Sequence, residues 1–316
     1  MNRILALIAL ALFAAALVSC CAVAEPEDQP TKIGFSHLPR SEWAVSLFES
    51  VAETFSNDNG YSLLSSVPLT EYDQLESMLE FIDIGVECII ISPRHTSPEY
   101  IPFQEAKDAG IPIILIDGVC LEGANESMYA TIITHDFERQ GRMAVEWLDE
   151  QGLEGDINIL HIQGHLDSRV QNGRSRGIIG AISERPNFNL LGSRPAGFIR
   201  MEAEEVMGIF IDEHEQFDVI IAEGGDMAMG AIDALKEADI DPADIIIISM
   251  DGFTFSEEIK AILDGDLNAS VQANPKFGPY IEDVFLKLRR GEAVDKIIYV
   301  TDKVFDISNA ADFLEP

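Results

Sequence analysis

Residues 86–117 read VECIIISPRHTSPEYIPFQEAKDAGIPIILID, and this stretch decides the fold. Two apolar runs, 86–92 and 111–116, flank a helical pattern over 98–109 that ends at Gly110. Both runs are rich in Ile and are bounded by Gly or Pro, which is typical of strands buried on both faces. A strand, a helix and a second strand of this kind predict a parallel pair joined by a right-handed crossover.

The same alternation continues in both directions along the chain. Further strands are expected over 32–36, 61–66, 129–134, 157–162, 189–198, 219–222, 245–250, 269–273 and 296–300. Further helices are expected over 42–55, 72–84, 136–150, 168–183, 201–214, 226–238, 255–263 and 275–290, the last opened by Pro275. The predicted fold class is therefore α/β, with two doubly wound parallel-sheet lobes.

The two halves are similar in size, and no Pro-, Gly- or Ser-rich linker separates them. This organisation predicts two lobes joined by a three-crossing hinge rather than independent domains. The crossings are expected near Thr134, near 250–252 and near 273–275. The expected division is a first lobe of residues 32–134 plus 252–273 and a second lobe of residues 135–251 plus 274–308.

Residues 1–24 form a predicted signal peptide, because the segment is apolar, starts with a positive charge and is too short for a comfortable transmembrane helix. The stretch LVSC at 17–20 resembles a lipobox, in which Cys20 becomes a lipidated first residue. We favour lipidation, while ordinary cleavage after Ala24 stays open. Either route predicts export to the periplasm or cell envelope, with residues 25–31 as a polar tether.

The charge of the chain excludes several classes of partner. Lys and Arg number 21 against 55 Asp and Glu, which gives a net charge of −34. Such a surface repels phosphate backbones and anionic lipid headgroups, so neither nucleic acid nor a basic-patch membrane contact is expected.

Cys88 and Cys120 are the cysteines that follow the leader. On neighbouring parallel strands they would lie at opposite ends, too far apart for a disulfide. We therefore predict no disulfide and interpret Cys88 as a small buried apolar residue.

Ligands of open α/β sheets bind beyond the carboxyl ends of the strands, so two facing lobes place their strand ends around one cleft. The candidates that follow from the predicted strand ends are Ser36, His37, Arg94, His95, Asp117, Asp136, His165, Arg169, Arg174, Glu223, Asp226, Asp251 and Asn274. Many of these groups accept hydrogen bonds from hydroxyls, and Trp43 and Phe198 offer flat apolar faces. The mix predicts a carbohydrate pocket.

Several candidates have a purely structural alternative. Asp136 and Asp226 fit helix N-caps equally well, and Asp117 before Gly118 fits a simple turn. Trp43 also fits a core position on its helix. The sequence contains no known nucleophile, zinc or phosphate-binding motif, so no catalytic residue, metal ligand or cofactor is predicted.

Several short stretches carry a family resemblance. They are IGFS at 33–36, EAKDAGIP at 105–112, MAMGAIDALKEA at 227–238, Asp251-Gly252, NASV at 268–271 and Gly278-Pro279. Through them residues 32–308 resemble the type I periplasmic sugar-binding proteins, the solute receptors of bacterial ABC importers, and in particular their galactofuranose-binding branch beside ribose-binding relatives. LacI-type repressors share this fold but carry a DNA-binding headpiece, where this chain has an export segment.

The resemblance implies a two-lobed fold that closes on one sugar. Carried over by motif, it implies sugar-binding roles for Asp117 and Asp251 and an aromatic contact for Trp43. It also implies a polar contact for Asn172 or Arg174.

Three positions depart from the family pattern. Gly118 stands where the family commonly has Arg, Gly224 where it has Asn, and Ala273, between Gln272 and Asn274, where ribose-binding relatives have Gln. Lost donors leave sugar oxygens unpaired, so the specificity is expected to differ from that of close relatives, with room for a larger ligand. Replacement donors that would favour an acidic sugar are Arg94, Arg169 and Arg174.

Together these observations predict an exported solute-binding protein, not an enzyme. It is expected to capture a monosaccharide or small oligosaccharide by hinge closure and to deliver it, as a monomer, to an ABC permease complex in the membrane. A sensor receptor that docks on a chemoreceptor or histidine kinase would use the same cleft and stays open as an alternative. An exported glycosidase is a third alternative, which the sequence does not specifically support.

Overall fold

The structure is a computed structural model, and it describes residues 29–93, 101–117, 126–214, 216–252 and 256–313. The predictions that fall outside these ranges concern the leader over 1–24 with Cys20, and Arg94, His95, Gly118 and Cys120. No helix in the described part of the chain is long and apolar enough to cross a membrane.

The first lobe is built on a six-stranded parallel sheet. Its strands are β1 (Thr31–Ser36), β2 (Tyr61–Ser66), β3 (Cys88–Ile91), β4 (Ile113–Ile116), β5 (Thr131–Thr134) and β11 (Ile297–Tyr299), in the order β11-β5-β4-β3-β1-β2. Its helices are α1 (Glu42–Thr54), α2 (Glu71–Ile84), α3 (Ile101–Asp108) and α9 (Gly278–Arg289). Every residue of β3 and β4 is buried, and Ile89 pairs in parallel with Ile113, as the Ile-rich runs predicted.

The second lobe repeats this plan. Its strands are β6 (Ile157–Gln163), β7 (Phe188–Pro195), β8 (Val219–Ala222), β9 (Ile246–Gly252), β10 (Ala269–Gln272) and β12 (Val304–Asp306), in the order β12-β10-β9-β8-β6-β7. Its helices are α4 (Phe137–Glu150), α5 (Arg169–Ser183), α6 (Arg200–Glu213), α7 (Gly225–Glu237) and α8 (Glu257–Asp264). The predicted fold class is confirmed. Strand β12, antiparallel to β10, was missed because three residues are too few for a periodic pattern.

The division of the chain between the lobes differs from the prediction. Residues 252–273 were expected in the first lobe, but β10 pairs with β9 in the second sheet, so this assignment is wrong. Residues 274–308 were expected in the second lobe, yet α9 packs on α1 and β11 pairs with β5, so only β12 belongs there. The chain therefore crosses after β5, between β10 and α9, and between β11 and β12. No crossing occurs at 250–252, because α8 returns the chain to a neighbouring strand of the same sheet.

The first residues of three helices test three predictions. One predicted N-cap is confirmed, and two other predictions are wrong. Asp136 caps α4, where its carboxylate accepts the Arg139 N–H at 2.9 Å. The capping prediction for Asp226 is wrong, because Gly224 occupies the N-cap of α7 and Asp226 lies exposed in the first turn. Pro275 does not open α9 as expected, since it lies in the crossing that precedes this helix.

Helices α4 and α5 touch backbone to backbone. A Cβ added to Gly141 would lie 2.2 Å from the Arg174 carbonyl oxygen, and one added to Gly177 would lie 2.1 Å from the Glu138 carbonyl oxygen. Only glycine permits such an approach. The contact brings Arg174 on α5 within hydrogen-bonding reach of Gln140 on α4.

Cys88 is fully buried and carries a free thiol. Burial raises the pKa of this thiol, because the thiolate would lie in an apolar environment. The interpretation of Cys88 as a core residue is confirmed. Because Cys120 lies outside the described residues, the absence of a disulfide stays a prediction.

Candidate functional site

A cleft of about 960 Å³ lies between the lobes, where strand ends of both sheets meet. Six lining residues carry carboxylates, namely Glu42, Asp117, Asp226, Asp251, Glu257 and Glu258. The aromatic lining residues are Trp43, Phe137 and Phe198, and those with a permanent positive charge are Arg174 and Lys260. Within the described part of the chain, the wall is thus negatively charged overall and interrupted by flat apolar faces.

The two lobes each contribute an Asp at a strand end. Asp117 follows β4 with a φ of 60°, and Asp251 lies near the end of β9 with a φ of 77°. Left-handed backbone is unusual outside glycine, and Asp tolerates it better than most residues. Burial raises the pKa of Asp117, against the lowering effect of the neighbouring Arg169 guanidinium. The fold therefore keeps a partly desolvated carboxyl at the cleft.

Arg174 fixes the position of Asp251. Its side chain is only 1% exposed. The guanidinium donates to the Gln140 side-chain oxygen at 2.9 Å, to the Glu223 backbone oxygen, and to the Asp251 carboxylate. It also lies over the Phe137 ring at 5.8 Å. Such a buried guanidinium with three acceptors acts as a rigid support, and its charge is balanced by Asp251.

Trp43 joins helix α1 to the second crossing. Its indole N–H donates to the Ala273 carbonyl oxygen at 2.7 Å, and the half-buried ring lines the cleft. The ring therefore faces the cleft, as predicted, while its nitrogen is bound to the hinge.

Phe198 occupies space that two glycines leave open. A Cβ on Gly164 would lie 2.0 Å from the Phe198 ring, and one on Gly224 would lie 3.2 Å from it. The ring therefore rests directly on both backbones and faces the cleft. This packing gives a physical reason for the departure at Gly224, because a side chain there would press on the Phe198 ring.

His135 lines the cleft, although the sequence analysis passed over it. The ring is 3% exposed, and its Nδ1 lies 3.0 Å from both carboxylate oxygens of Asp302. Asp302 lies in the third crossing, so its pairing with a residue of the first crossing could not be read from local sequence. The sequence does carry one signal, since His135 directly follows the predicted strand over 129–134.

Glu258 is a second lining residue that the sequence analysis missed. It is 7% exposed, and its carboxylate lies against the Gly225 backbone, where an added Cβ would be only 1.6 Å away. Burial raises the pKa of Glu258 to about 7, and the charges of Asp251 and Asp226 also raise it. The predicted helix over 255–263 gave no sign that its first turn enters the cleft.

Six of the predicted site residues line the cleft: Trp43, Asp117, Arg174, Phe198, Asp226 and Asp251. Ser36 and His37 are not among the lining residues, and both are buried at the end of β1. Each nevertheless keeps a buried polar atom, Ser36 Oγ and His37 Nδ1, with no hydrogen-bond partner among the described residues. The roles of all these residues as ligand contacts stay predictions.

Four further predicted residues are not among those that line the cleft. Asp136 is used as a helix cap, and Arg169 lies over the Phe137 ring at 5.9 Å. Asn172 is exposed on α5, and Asn274 bonds within the hinge to the Thr301 carbonyl oxygen at 3.2 Å. A position near a strand end does not fix the direction of the side chain, so the roles of these four residues as ligand contacts stay predictions.

Glu223 also turns away from the cleft. Its carboxylate accepts from the Gly164 N–H at 2.8 Å and contacts His161 at 3.0 Å and the Ser175 hydroxyl, all inside the second lobe. His161 is fully buried within this cluster. Across the described residues, no three His, Cys, Asp or Glu side chains are grouped to hold a metal ion.

Comparison with known proteins agrees with this architecture. A family model described as a periplasmic binding protein domain matches residues 40–280. The galactofuranose-binding protein YtfQ of Escherichia coli K12 is 28% identical over 287 residues, which cover 89% of this chain and 89% of YtfQ.

Two solved structures are similar over most of their length. The periplasmic binding protein of the arabinose ABC transporter from Shewanella sp. ANA-3, bound to L-arabinofuranose, superposes with a TM-score of 0.74 at 30% identity, covering 89% of this chain and 94% of that one. A structure from Mycobacterium smegmatis in complex with β-D-fucofuranose gives a TM-score of 0.72 at 30% identity, covering 89% and 93%. The expected resemblance is confirmed, and this chain belongs to the periplasmic binding protein family.

Proposed function

We propose that this protein is a receptor that captures a sugar in the cleft between its lobes and delivers it to an ABC-type importer. The composition of the cleft wall carries the proposal, because carboxylates from both lobes lie beside three aromatic side chains. Carboxylates accept hydrogen bonds from sugar hydroxyls, and aromatic rings cover the apolar faces of a sugar ring. The cleft volume of about 960 Å³ is within the range of small-molecule sites.

The relatives support a sugar in its five-membered ring form. YtfQ is named for galactofuranose, and the two solved structures hold arabinofuranose and fucofuranose. We therefore propose a furanose as the ligand.

The charge of the cleft favours a neutral sugar over an acidic one. Six of the lining residues carry carboxyl groups, and the charge of Arg174 is already balanced by Asp251. A sugar carboxylate would be repelled by the wall and would have to compete with Asp251 for its partner. The acidic sugar that the arginines suggested in the sequence is accordingly not the ligand we propose.

Capture would occur by closure of the two lobes around the three crossings. A ligand that contacts both lobes binds the closed form better than the open form and so shifts an existing equilibrium. Asp117 and Asp251 belong to opposite lobes, and Trp43 is bonded to the second crossing at Ala273. A sugar that bridges the two carboxylates would therefore favour closure.

Export and anchoring are part of the proposal. The leader over 1–24 would direct the chain out of the cytoplasm, and lipidation at Cys20 would hold it at the membrane beside the importer. Mass spectrometry of the mature N-terminus tests this step, because a diacylglyceryl-modified Cys20 and an unmodified Glu25 differ clearly in mass.

A thermal-shift screen tests the ligand class. The full chain would be expressed with its own leader, purified after processing, and mixed with L-arabinose, D-fucose, D-galactose or D-galacturonic acid. A sugar at about 100 times its Kd adds about 2.7 kcal/mol of stability, a shift of several degrees. We expect a neutral sugar to give this shift, D-galacturonic acid to give none, and the bound sugar to be recovered chemically unchanged. Hydrolysed or altered sugar would contradict a receptor.

A matched pair of variants tests the cleft. Asp117→Asn should weaken sugar binding by about 10- to 100-fold, because hydrogen bonds to a charged group contribute about 1.5–3 kcal/mol. Asn172→Ala, at an exposed position that the resemblance favoured, should leave the affinity unchanged. Isothermal titration gives both values, and equal affinity of Asp117→Asn and the wild type would place the ligand elsewhere.

A further inference from the structure

His135 lies where the first crossing meets the cleft. It directly follows β5, and its ring packs among Trp43 at 5.9 Å, Phe137 at 6.0 Å and Phe277 at 5.4 Å, measured between ring centroids. The side chain is 3% exposed and belongs to the cleft lining. Three aromatic side chains therefore surround the imidazole, and they offer no strong hydrogen-bond partner to its nitrogens.

One ring nitrogen of His135 is fully engaged. Nδ1 lies 3.0 Å from both carboxylate oxygens of Asp302. A carboxylate accepts hydrogen bonds, so Nδ1 carries the proton and donates it to Asp302. In the neutral ring, Nε2 is then left as an acceptor.

The other ring nitrogen has no partner. His135 Nε2 is buried and makes no hydrogen bond to any residue that the structure describes. Leaving a buried polar atom unpaired is unfavourable, and each such atom in a native structure needs an explanation. A ligand in the cleft that His135 lines would supply the missing partner.

Asp302 connects all three crossings of the hinge. It lies in the third crossing itself, accepts the Asn274 backbone N–H of the second at 3.0 Å, and binds His135 of the first. It also accepts from Gln140 at 2.8 Å, and Gln140 supports Arg174. The orientation of His135 is thus set by the same carboxylate that ties the hinge together.

We propose that His135 is a further ligand-binding residue, whose Nε2 accepts a hydrogen bond from a ligand hydroxyl and whose ring is positioned by Asp302. This inference rests on the proposed function, and it narrows the ligand. Asp117 also lines the cleft and is an acceptor when ionised. The two residues together therefore select a ligand that presents at least two hydroxyl donors, such as a sugar diol.

Two substitutions at His135 distinguish the role of Nδ1 from the role of Nε2. The amide nitrogen of an Asn reaches the place of Nδ1, so His135→Asn keeps the bond to Asp302 and removes Nε2. The amide of a Gln reaches the place of Nε2, so His135→Gln restores a polar group toward the ligand. His165, which the sequence placed among the cleft candidates, is exposed and does not line the cleft, so His165→Asn is the matched control.

Titration with L-arabinose, D-fucose and D-galactose measures the effect. We expect His135→Asn to bind the tightest of these sugars about 10-fold more weakly than the wild type, with His135→Gln between the two and His165→Asn unchanged. Wild-type affinity in His135→Asn would overturn the inference and leave the proposed function standing. No binding by the wild type would instead refute the proposed furanose ligand and the inference with it.

Nitrogen-15 NMR of the imidazole supplies a readout that does not depend on the fold of a variant. The ligand-free wild type should show His135 with Nδ1 protonated and Nε2 bare, and the sugar should shift the Nε2 resonance. Asp302→Asn should introduce the other tautomer, because an amide can donate to Nδ1. A ligand-free spectrum with the proton on Nε2, or an Nε2 resonance that saturating sugar does not move, would overturn the proposal.

Discussion

Replacing Glu258 by Gln should change how the stability of the protein depends on pH. The carboxyl is 7% exposed and lies against Gly225, and its pKa is raised from 4.5 to about 7, mainly by burial. Because the folded pKa lies above the unfolded one, the folded state holds the proton more tightly. The stability that this proton contributes is complete below about pH 4.5 and is lost as the pH rises through about 7.

The magnitude follows from the two pKa values. One pKa unit corresponds to about 1.4 kcal/mol, so the wild type should lose about 3 kcal/mol through this group between pH 4.5 and a pH above 7. Gln carries no charge and loses nothing over the same range. The Gln variant should therefore gain about 3 kcal/mol relative to the wild type as the pH rises.

Urea unfolding of the ligand-free protein at about pH 5 and about pH 8.5 measures most of this difference, about 2.5 kcal/mol, because the unfolded carboxyl is already largely ionised at pH 5. Comparing the two pH values for each variant removes any constant effect of the amide on the hydrogen bonds at this site. Asp264→Asn, exposed on the same helix, is the control and should follow the wild type at both pH values. Parallel behaviour of the wild type and Glu258→Gln would show that the carboxyl titrates normally and would refute the reasoning.

Three further outcomes are expected. Arg174→Met should lower the free energy of unfolding by about 3 kcal/mol, because it leaves the buried acceptors of Gln140 and Glu223 without their donor. An unchanged urea midpoint would contradict this. Trp43→Phe keeps an aromatic ring but removes the hydrogen bond to the Ala273 carbonyl oxygen, and it should weaken sugar binding several-fold as measured by calorimetry. An effect on stability alone would limit Trp43 to a structural role. Cys88 should react with a thiol reagent only after denaturation, and a label found on Cys88 itself by peptide mapping of the native protein would show that β3 opens.

The sheet architecture could be predicted because it depends on local composition. Runs such as 88–91 and 113–116 are continuously apolar, and only strands covered on both faces can bury them. The assignment of 252–273 to a lobe could not be predicted in the same way. A helix that returns to the same sheet and one that precedes a crossing have the same periodic pattern, and the difference lies in tertiary pairing.

Some residues of the candidate site could likewise be predicted from local sequence, and others could not. Asp117 and Asp251 could be predicted because a strand end fixes their place, and their left-handed backbone fixes the direction of the turn. Asn172 could not be placed, because its exposure depends on the rotation of α5 about its axis. The pairing of His135 with Asp302 joins positions 167 residues apart, so no local pattern contains it.

The glycine contact between α4 and α5 bears on attempts to give this protein a new ligand. Gly141 and Gly177 do not line the cleft, yet their close approach sets the distance at which Arg174 reaches Gln140 and Asp251. A mutant library that varies only the cleft wall will keep this distance, so all its members will hold Arg174 and Asp251 in the same relative position. A library that allows Ala at Gly141 will move a whole helix, and with it an anchor of the pocket, by one substitution outside the pocket.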